Sequence, residues 1–84
     1  MSKLFRDAIR LEVEEGYRHK PVTFIYKRRR ARVRETLKQW RVVRGWWKRP
    51  VEREYFQVKT ESGTICELYR DLLTGAWYLQ RIHD

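Results

Sequence analysis

The densest chemistry in this chain is cationic. Lys27, Arg28, Arg29 and Arg30 are consecutive, and Arg32 and Arg34 follow at alternate positions. On an extended strand, alternate side chains lie about 6.5–7 Å apart, a rough match to the phosphates along one nucleic-acid strand. A basic β-ribbon can also enter a groove. Arg41, Arg44, Lys48 and Arg49 prolong the run. Binding by such contacts depends strongly on salt. The bland alternative is an edge hairpin kept from aggregating by its charge.

A second group is aromatic. Trp46 and Trp47 stand between Arg44 and Lys48. Two adjacent tryptophans on an extended loop point opposite ways, so both cannot easily enter one core; the bland reading is that Trp46 or Trp47 caps the core end of the barrel. An outward Trp can stack on an unpaired base, worth about 1–3 kcal/mol, or anchor a protein contact. Tyr55 and Tyr78 offer further stacking faces if their side of the sheet is open.

Catalytic chemistry is thin. Cys66 lies between apolar and strand-forming neighbours and reads as a small buried hydrophobe. Cys66, His19 and His83 are too few for a structural zinc site, which usually takes four ligands. Glu67 and Asp71 have structural uses, as a cross-strand partner of Arg81 and as a turn residue. Asp84 is the remaining late carboxylate. No catalytic residue, metal or cofactor is expected.

The chain has 84 residues, enough for one domain with a modest core. Its 20 Lys+Arg against 11 Asp+Glu give a net charge of +9. Hydrophobic residues at 42% and aromatics at 14% are too rich for a disordered basic tail. The charge is segregated: residues 18–53 carry 14 basic and two acidic groups, while both flanks are slightly acidic. That asymmetry points to a polyanion-binding surface. One cysteine cannot form an internal disulfide, and the N-terminus lacks the apolar core of a secretory signal. No run approaches the 18 apolar residues of a membrane span. The expected setting is cytoplasmic, with no membrane partner.

The elements that carry these residues read as strands. Ile9, Leu11 and Val13 alternate with charged residues, predicting a strand over 8–14, with a helix over 3–15 as the alternative. Residues 1–7 read as a flexible arm or a short helical turn. Val22–Tyr26 is a second strand, and Ala31–Val43 a long third one. A four-residue turn over 27–30 pairs Tyr26 with Ala31 and Phe24 with Val33. One face then holds Val22, Phe24, Tyr26, Ala31 and Val33. The apolar parity changes between Leu37 and Trp40, predicting a β-bulge or sharp bend near Lys38–Gln39. Residues 44–53 read as a loop.

Tyr55–Thr60 and Thr64–Arg70 form a hairpin around a two-residue turn, Ser62–Gly63. That register pairs Phe56 with Tyr69 and Val58 with Glu67. A three-residue loop, Leu73–Gly75, leads to a last strand, Trp77–His83, setting Glu67 against Arg81 and Tyr69 against Leu79. One face collects Phe56, Val58, Ile65, Tyr69, Trp77 and Leu79. Cys66, Leu68, Tyr55 and Tyr78 fall on the other. The expected fold is all-β: a strongly bent antiparallel meander of five to six strands, or a small partly open barrel.

Four segments together resemble a known family: RVRETLKQW (Arg32–Trp40), the Trp46–Trp47 pair, REYFQVKTESG, and ELYRDLLTGAWYLQRIHD (Glu67–Asp84). They are similar to a small uncharacterised bacterial domain found beside, or fused to, Y-family translesion DNA polymerases and their mutasome partners. The resemblance covers roughly residues 9–84. It implies a bacterial context, an all-β fold and a link to DNA-damage tolerance, and it carries no catalytic residues over. The KRRR tip lacks the glycine such a turn usually has.

The sequence therefore predicts a non-catalytic nucleic-acid-binding accessory domain, with DNA favoured over RNA. The alternative is a protein-interaction module that docks on a Y-family polymerase or an associated subunit.

Overall fold

The computed structural model describes residues 2–45 and 50–83, the side chains of Ser2 and Lys3 excepted. Six antiparallel strands follow one another: β1 (Ser2–Glu15), β2 (Pro21–Tyr26), β3 (Arg29–Arg44), β4 (Val51–Thr60), β5 (Ile65–Asp71) and β6 (Trp77–His83). Each pairs with the next, and β6 pairs back onto β1, so the ring of strands closes. The all-β reading holds. Closure removes the free edges an open six-strand meander would present at β1 and β6. A 3₁₀ turn over Tyr17–His19 joins β1 to β2.

Period-two patterning explains the core. Leu11, Phe24, Phe56, Val58, Cys66, Leu68, Trp77 and Leu79 point into the ring and form the buried cluster. Val58, Leu68 and Leu79 have no exposed surface at all. Residues 2–7, expected as an arm or helical turn, belong to β1, where Ser2, Lys3 and Leu4 pair with β6. Register slips between Leu4 and Ile9, so this part of the strand escapes a simple alternation. Strands β3 and β4 also run further than expected: Arg41–Arg44 pair with Val51–Glu54, which converts most of the expected 44–53 loop into a two-stranded ribbon.

Turn length decides the remaining differences. The first hairpin turns over two residues, Lys27 and Arg28, both left-handed (φ 51° and 64°). Two residues at positive φ match the right-handed twist of the flanking strands. Tyr26 therefore pairs with Arg29 and Phe24 with Ala31, two residues from the expected register. A shift of two keeps every side chain on its face, so Phe24, Tyr26, Ala31 and Val33 still face the core side. Val22, beside the β1 register shift at Glu14–Glu15, is exposed instead.

The β4–β5 loop has three residues, Glu61–Gly63. Gly63 N–H donates to the Thr60 carbonyl at 2.9 Å, and Thr60 N–H to that of Thr64 at 2.9 Å. Gly63 takes the left-handed position (φ 92°) that this loop requires. One residue more than expected inverts β5. Phe56 pairs with Leu68 and Val58 with Cys66, so Leu68 and Cys66 are inside and Ile65 and Tyr69 outside. The β5–β6 loop is also one longer: Asp71 N–H bonds the Ala76 carbonyl at 2.8 Å, with Gly75 left-handed as expected. Tyr69 therefore pairs with Tyr78 rather than Leu79. A bulge at Gln80 then restores the expected Glu67–Arg81 pair, at 3.4 Å.

At the opening of β2, Glu15 ties three elements together. Its carboxylate accepts from Trp77 Nε1 at 3.0 Å, bonds His19 Nδ1 at 2.7 Å, and lies 3.7 Å from Arg70 Nε. Burial pushes this carboxyl up, but the hydrogen bonds from Trp77 and His19, with the charge of Arg70, outweigh it and hold the group below the ordinary glutamate value. A depressed folded-state pKa contributes stability above the unfolded value, lost as pH falls through the folded one. Acid titration should therefore weaken the fold below about pH 4.5, the ordinary glutamate value. Glu15→Gln should flatten that limb, read as the pH dependence of the urea midpoint. An unchanged limb would remove Glu15 as its source.

Candidate nucleic-acid interface

Strand β3 positions most of the expected cations. Arg29, Arg30, Arg32, Arg34, Lys38, Arg41 and Arg44 all lie on this one 16-residue strand and all are exposed. Lys27 and Arg28 form the turn that leads into it. Exposed carboxylates stand 4.0 Å from Arg32 (Glu61) and Arg41 (Glu52). Such surface pairs are weak and leave the cations available to another anion. Among the described residues, no carboxylate lies within 4.0 Å of Arg28, Arg29, Arg30, Arg34, Lys38 or Arg44. The cations do not form a single patch. Lys27–Arg30 crown one end of the ring, whereas Arg41 and Arg44 ride the ribbon at the far end of the strand.

Two bulges shape β3. Its register against β4 slips at Arg34 and again at Leu37. The second lies beside the expected break at Lys38–Gln39. Each bulge turns two neighbours outward, Arg34 with Glu35 and Leu37 with Lys38. Trp40 then falls on the outer face, not in the core that its apolar character suggested.

That outer face carries a ladder of four rings. Trp40, Tyr55, Tyr69 and Tyr78 are direct cross-strand neighbours on β3, β4, β5 and β6. Ring centroids are 5.3 Å (Trp40–Tyr55, nearly parallel at 6°), 5.1 Å (Tyr55–Tyr69) and 5.0 Å (Tyr69–Tyr78). Each such contact is worth about 0.5–1.5 kcal/mol beyond burial. Arg53 spans the ladder: its guanidinium carbon lies 4.5 Å from the Tyr69 ring centre, and Nη1 donates to the Tyr55 hydroxyl at 3.2 Å. Burial, reinforced by the neighbouring tyrosines, pushes the Tyr69 hydroxyl up, partly offset by Arg53. Arg10 pairs with Tyr78 at the other end.

The two ends of the ladder differ. One face of the Trp40 indole stacks on Tyr55. On its other side no strand follows, because β2 pairs with β3 only through Arg29–Arg32. Among the described residues, no ring stacks on that face.

Of the expected stacking residues, Tyr55 and Tyr78 are brought together through Tyr69. Trp46, Trp47, Lys48 and Arg49 lie outside the described residues. Sequence reading missed Trp40, Tyr69 and Arg53 as members of the outer face, where Tyr69 is itself buried beneath Arg53 and the flanking rings. Their signal was the spacing of aromatics along four strands, legible only in the correct register.

The basic tip adopts an unusual backbone for its residues. Non-glycine residues at positive φ are disfavoured by about 1–2 kcal/mol each, and Asn-Gly is the usual solution for this turn. Lys27→Asn with Arg28→Gly should raise stability by about 1–2 kcal/mol in urea denaturation. Equal or lower stability would show that the turn is not strained.

The tip also borders a cavity of about 810 Å³ at this end of the ring. Its walls are Phe24, Tyr26, Ala31, Cys66 and Ile82, and its rim includes Lys27, Arg29 and Arg30. Among the described residues, no three His, Cys, Asp or Glu side chains gather to hold a metal ion, and no helix is long and apolar enough to cross a membrane.

Fold and surface together define a class: a small closed ring of antiparallel strands with cations along one strand and a lateral aromatic ladder. The chain belongs to the family described as domain of unknown function DUF6504, whose model matches residues 1–84. No curated protein and no solved structure matches it.

Proposed function

We propose that this chain is a non-catalytic nucleic-acid-binding domain that grips a single strand along β3. The observation that carries the proposal is the composition of that strand: seven exposed cations and Trp40 on one continuous element. Arg28, Arg29, Arg30, Arg32 and Arg34 neutralise phosphates, and Trp40 stacks on a base further along. An unpaired strand is favoured over a duplex because a stacked base offers no face to Trp40. Nothing among the described residues favours one base over another, so sequence preference is low.

Fluorescence anisotropy of labelled single- and double-stranded oligonucleotides across a salt series tests this reading. About five phosphate contacts predict that log K falls against log salt with a slope near −3.5 for a single strand. Absence of binding at about 50 mM salt, or binding indifferent to salt, would overturn it. Trp40→Ala should weaken single-strand binding by about tenfold with the salt slope preserved, since stacking releases no counterions. Equal loss on single strand and duplex would remove Trp40 as a base platform.

A further inference from the structure

The cavity at the tip is built differently from the rest of the surface. Its volume of about 810 Å³ falls in the range of about 300–1,000 Å³ typical of small-ligand sites. Two aromatic rings, Phe24 and Tyr26, stand on one wall. Thr60, Ser62 and Thr64 line another part, joined by hydroxyl contacts of 2.9 Å (Thr60–Ser62) and 3.4 Å (Ser62–Thr64). Lys27, Arg29 and Arg30 line the cavity together with one carboxylate, Glu61, which stands 4.0 Å from Arg32; Lys27 Nζ sits 5.5 Å from the Tyr26 ring centre.

This combination selects among anions. A purely acidic ligand such as inorganic phosphate gains nothing from the aromatic and aliphatic walls. A fatty acid fits those walls, but one carboxylate does not need three cations, and its chain has no use for three hydroxyls. A nucleotide uses each of these features: a planar base against Tyr26, with the buried Phe24 behind it in the core, hydroxyl partners for sugar or base edge, and flanking phosphates on the cations.

We infer that the ring-end cavity receives the base of one unpaired nucleotide, with its flanking phosphates held by Lys27, Arg29 and Arg30. The inference rests on the nucleic-acid-binding reading and gives that reading a specific pocket. The same cations then do two jobs, neutralising the backbone and aiming one base inward. The tip must be fixed for this, which suits the two-residue turn.

Three probes test it: an oligothymidylate carrying one internal 2-aminopurine, a strand of the same length made wholly of abasic sites, and dodecanoate as competitor. With the wild-type protein, 2-aminopurine emission should change on binding, and a strand made wholly of abasic sites should bind about tenfold more weakly at the same salt slope. Ala31→Phe fills the cavity while keeping the rim charges. It should reduce the preference for bases and leave the slope unchanged. Thr64→Val gives a second, milder variant that should weaken base-containing strands alone. Equal affinity for normal and wholly abasic strands, with a normal salt slope, would overturn the cavity inference and leave phosphate binding standing. Displacement of nothing by oligonucleotide, with tight dodecanoate binding, would overturn it in favour of a lipid-like ligand. No oligonucleotide binding at about 50 mM salt would overturn both readings.

Discussion

Charge reversal at the hairpin tip, Arg28→Glu with Arg29→Glu and Arg30→Glu, should abolish detectable oligonucleotide binding near physiological salt. Each phosphate contact on a single strand contributes about 0.7 to the slope of log K against log salt. Loss of three contacts removes about two units of slope, and the new carboxylates add repulsion. Non-specific binding of this kind typically has a Kd of about 10⁻⁴–10⁻⁶ M, so a further 100-fold loss takes it out of range. The fold should survive. All three side chains are exposed, and among the described residues none has an ion-pair partner. Arg29 and Arg30 hold the hairpin through their backbones, opposite Tyr26 and Ile25. Circular dichroism and the urea midpoint should therefore match the wild type. A folded triple variant with wild-type affinity and slope would make the tip a charged guard against strand aggregation. The same variant separates the two functional readings. A protein-docking surface on the aromatic ladder would be untouched by it, because Trp40, Tyr55, Tyr69 and Tyr78 lie along other parts of the ring.

The division between what patterning reveals and what it hides is physical. Alternation of Ile9, Leu11 and Val13, or of Phe56 and Val58, reports a half-buried strand whatever its neighbours are, so the strands and the all-β class were legible. The parity change between Leu37 and Trp40 placed a bulge within about a residue of the real one. Pairing partners depend instead on loop length, and local sequence leaves that ambiguous. Thr60-Glu61-Ser62-Gly63-Thr64 supports a two-residue or a three-residue turn, and Gly63 suits both. The structure takes the longer one, closed by the Thr60 and Thr64 hydrogen bonds. Because side chains alternate with period two, that single residue carried Leu68 and Cys66 inward and Tyr69 outward. The candidate site followed the same logic. The cations were visible as a run, but the ladder needed Tyr69 and Trp40 outside, and both are residues that composition assigns to a core. Patterning therefore located the cationic half of the surface and left its aromatic half hidden.

The inverted register of β5 makes the largest stability prediction. Leu68→Lys should unfold the domain at 25 °C, whereas Ile65→Lys on the same strand should be tolerated. Leu68 has no exposed surface and packs in the central cluster with Phe56, Val58 and Leu79. Truncating such a leucine to alanine alone removes about 2–5 kcal/mol. A buried ammonium without a partner adds its own desolvation penalty. A domain of this size has about 5 kcal/mol in all, so the lysine exceeds the total. Leu68→Ala gives the graded version: about 3 kcal/mol should lower Tm by roughly 12–24 °C. Ile65 faces the other way, half-buried beside Lys59 and His83 on neighbouring strands. A lysine there can extend its ammonium into water, so the loss should stay near 1 kcal/mol. With a two-residue turn the outcomes would exchange, Ile65→Lys unfolding the chain and Leu68→Lys surviving. Urea denaturation of the two lysine variants thus measures loop length through side-chain burial, and with it the placement of the aromatic ladder. If Tyr69 faced inward, no continuous path of rings could run from Trp40 to Tyr78, and the Trp40–Tyr55 stack would stand alone.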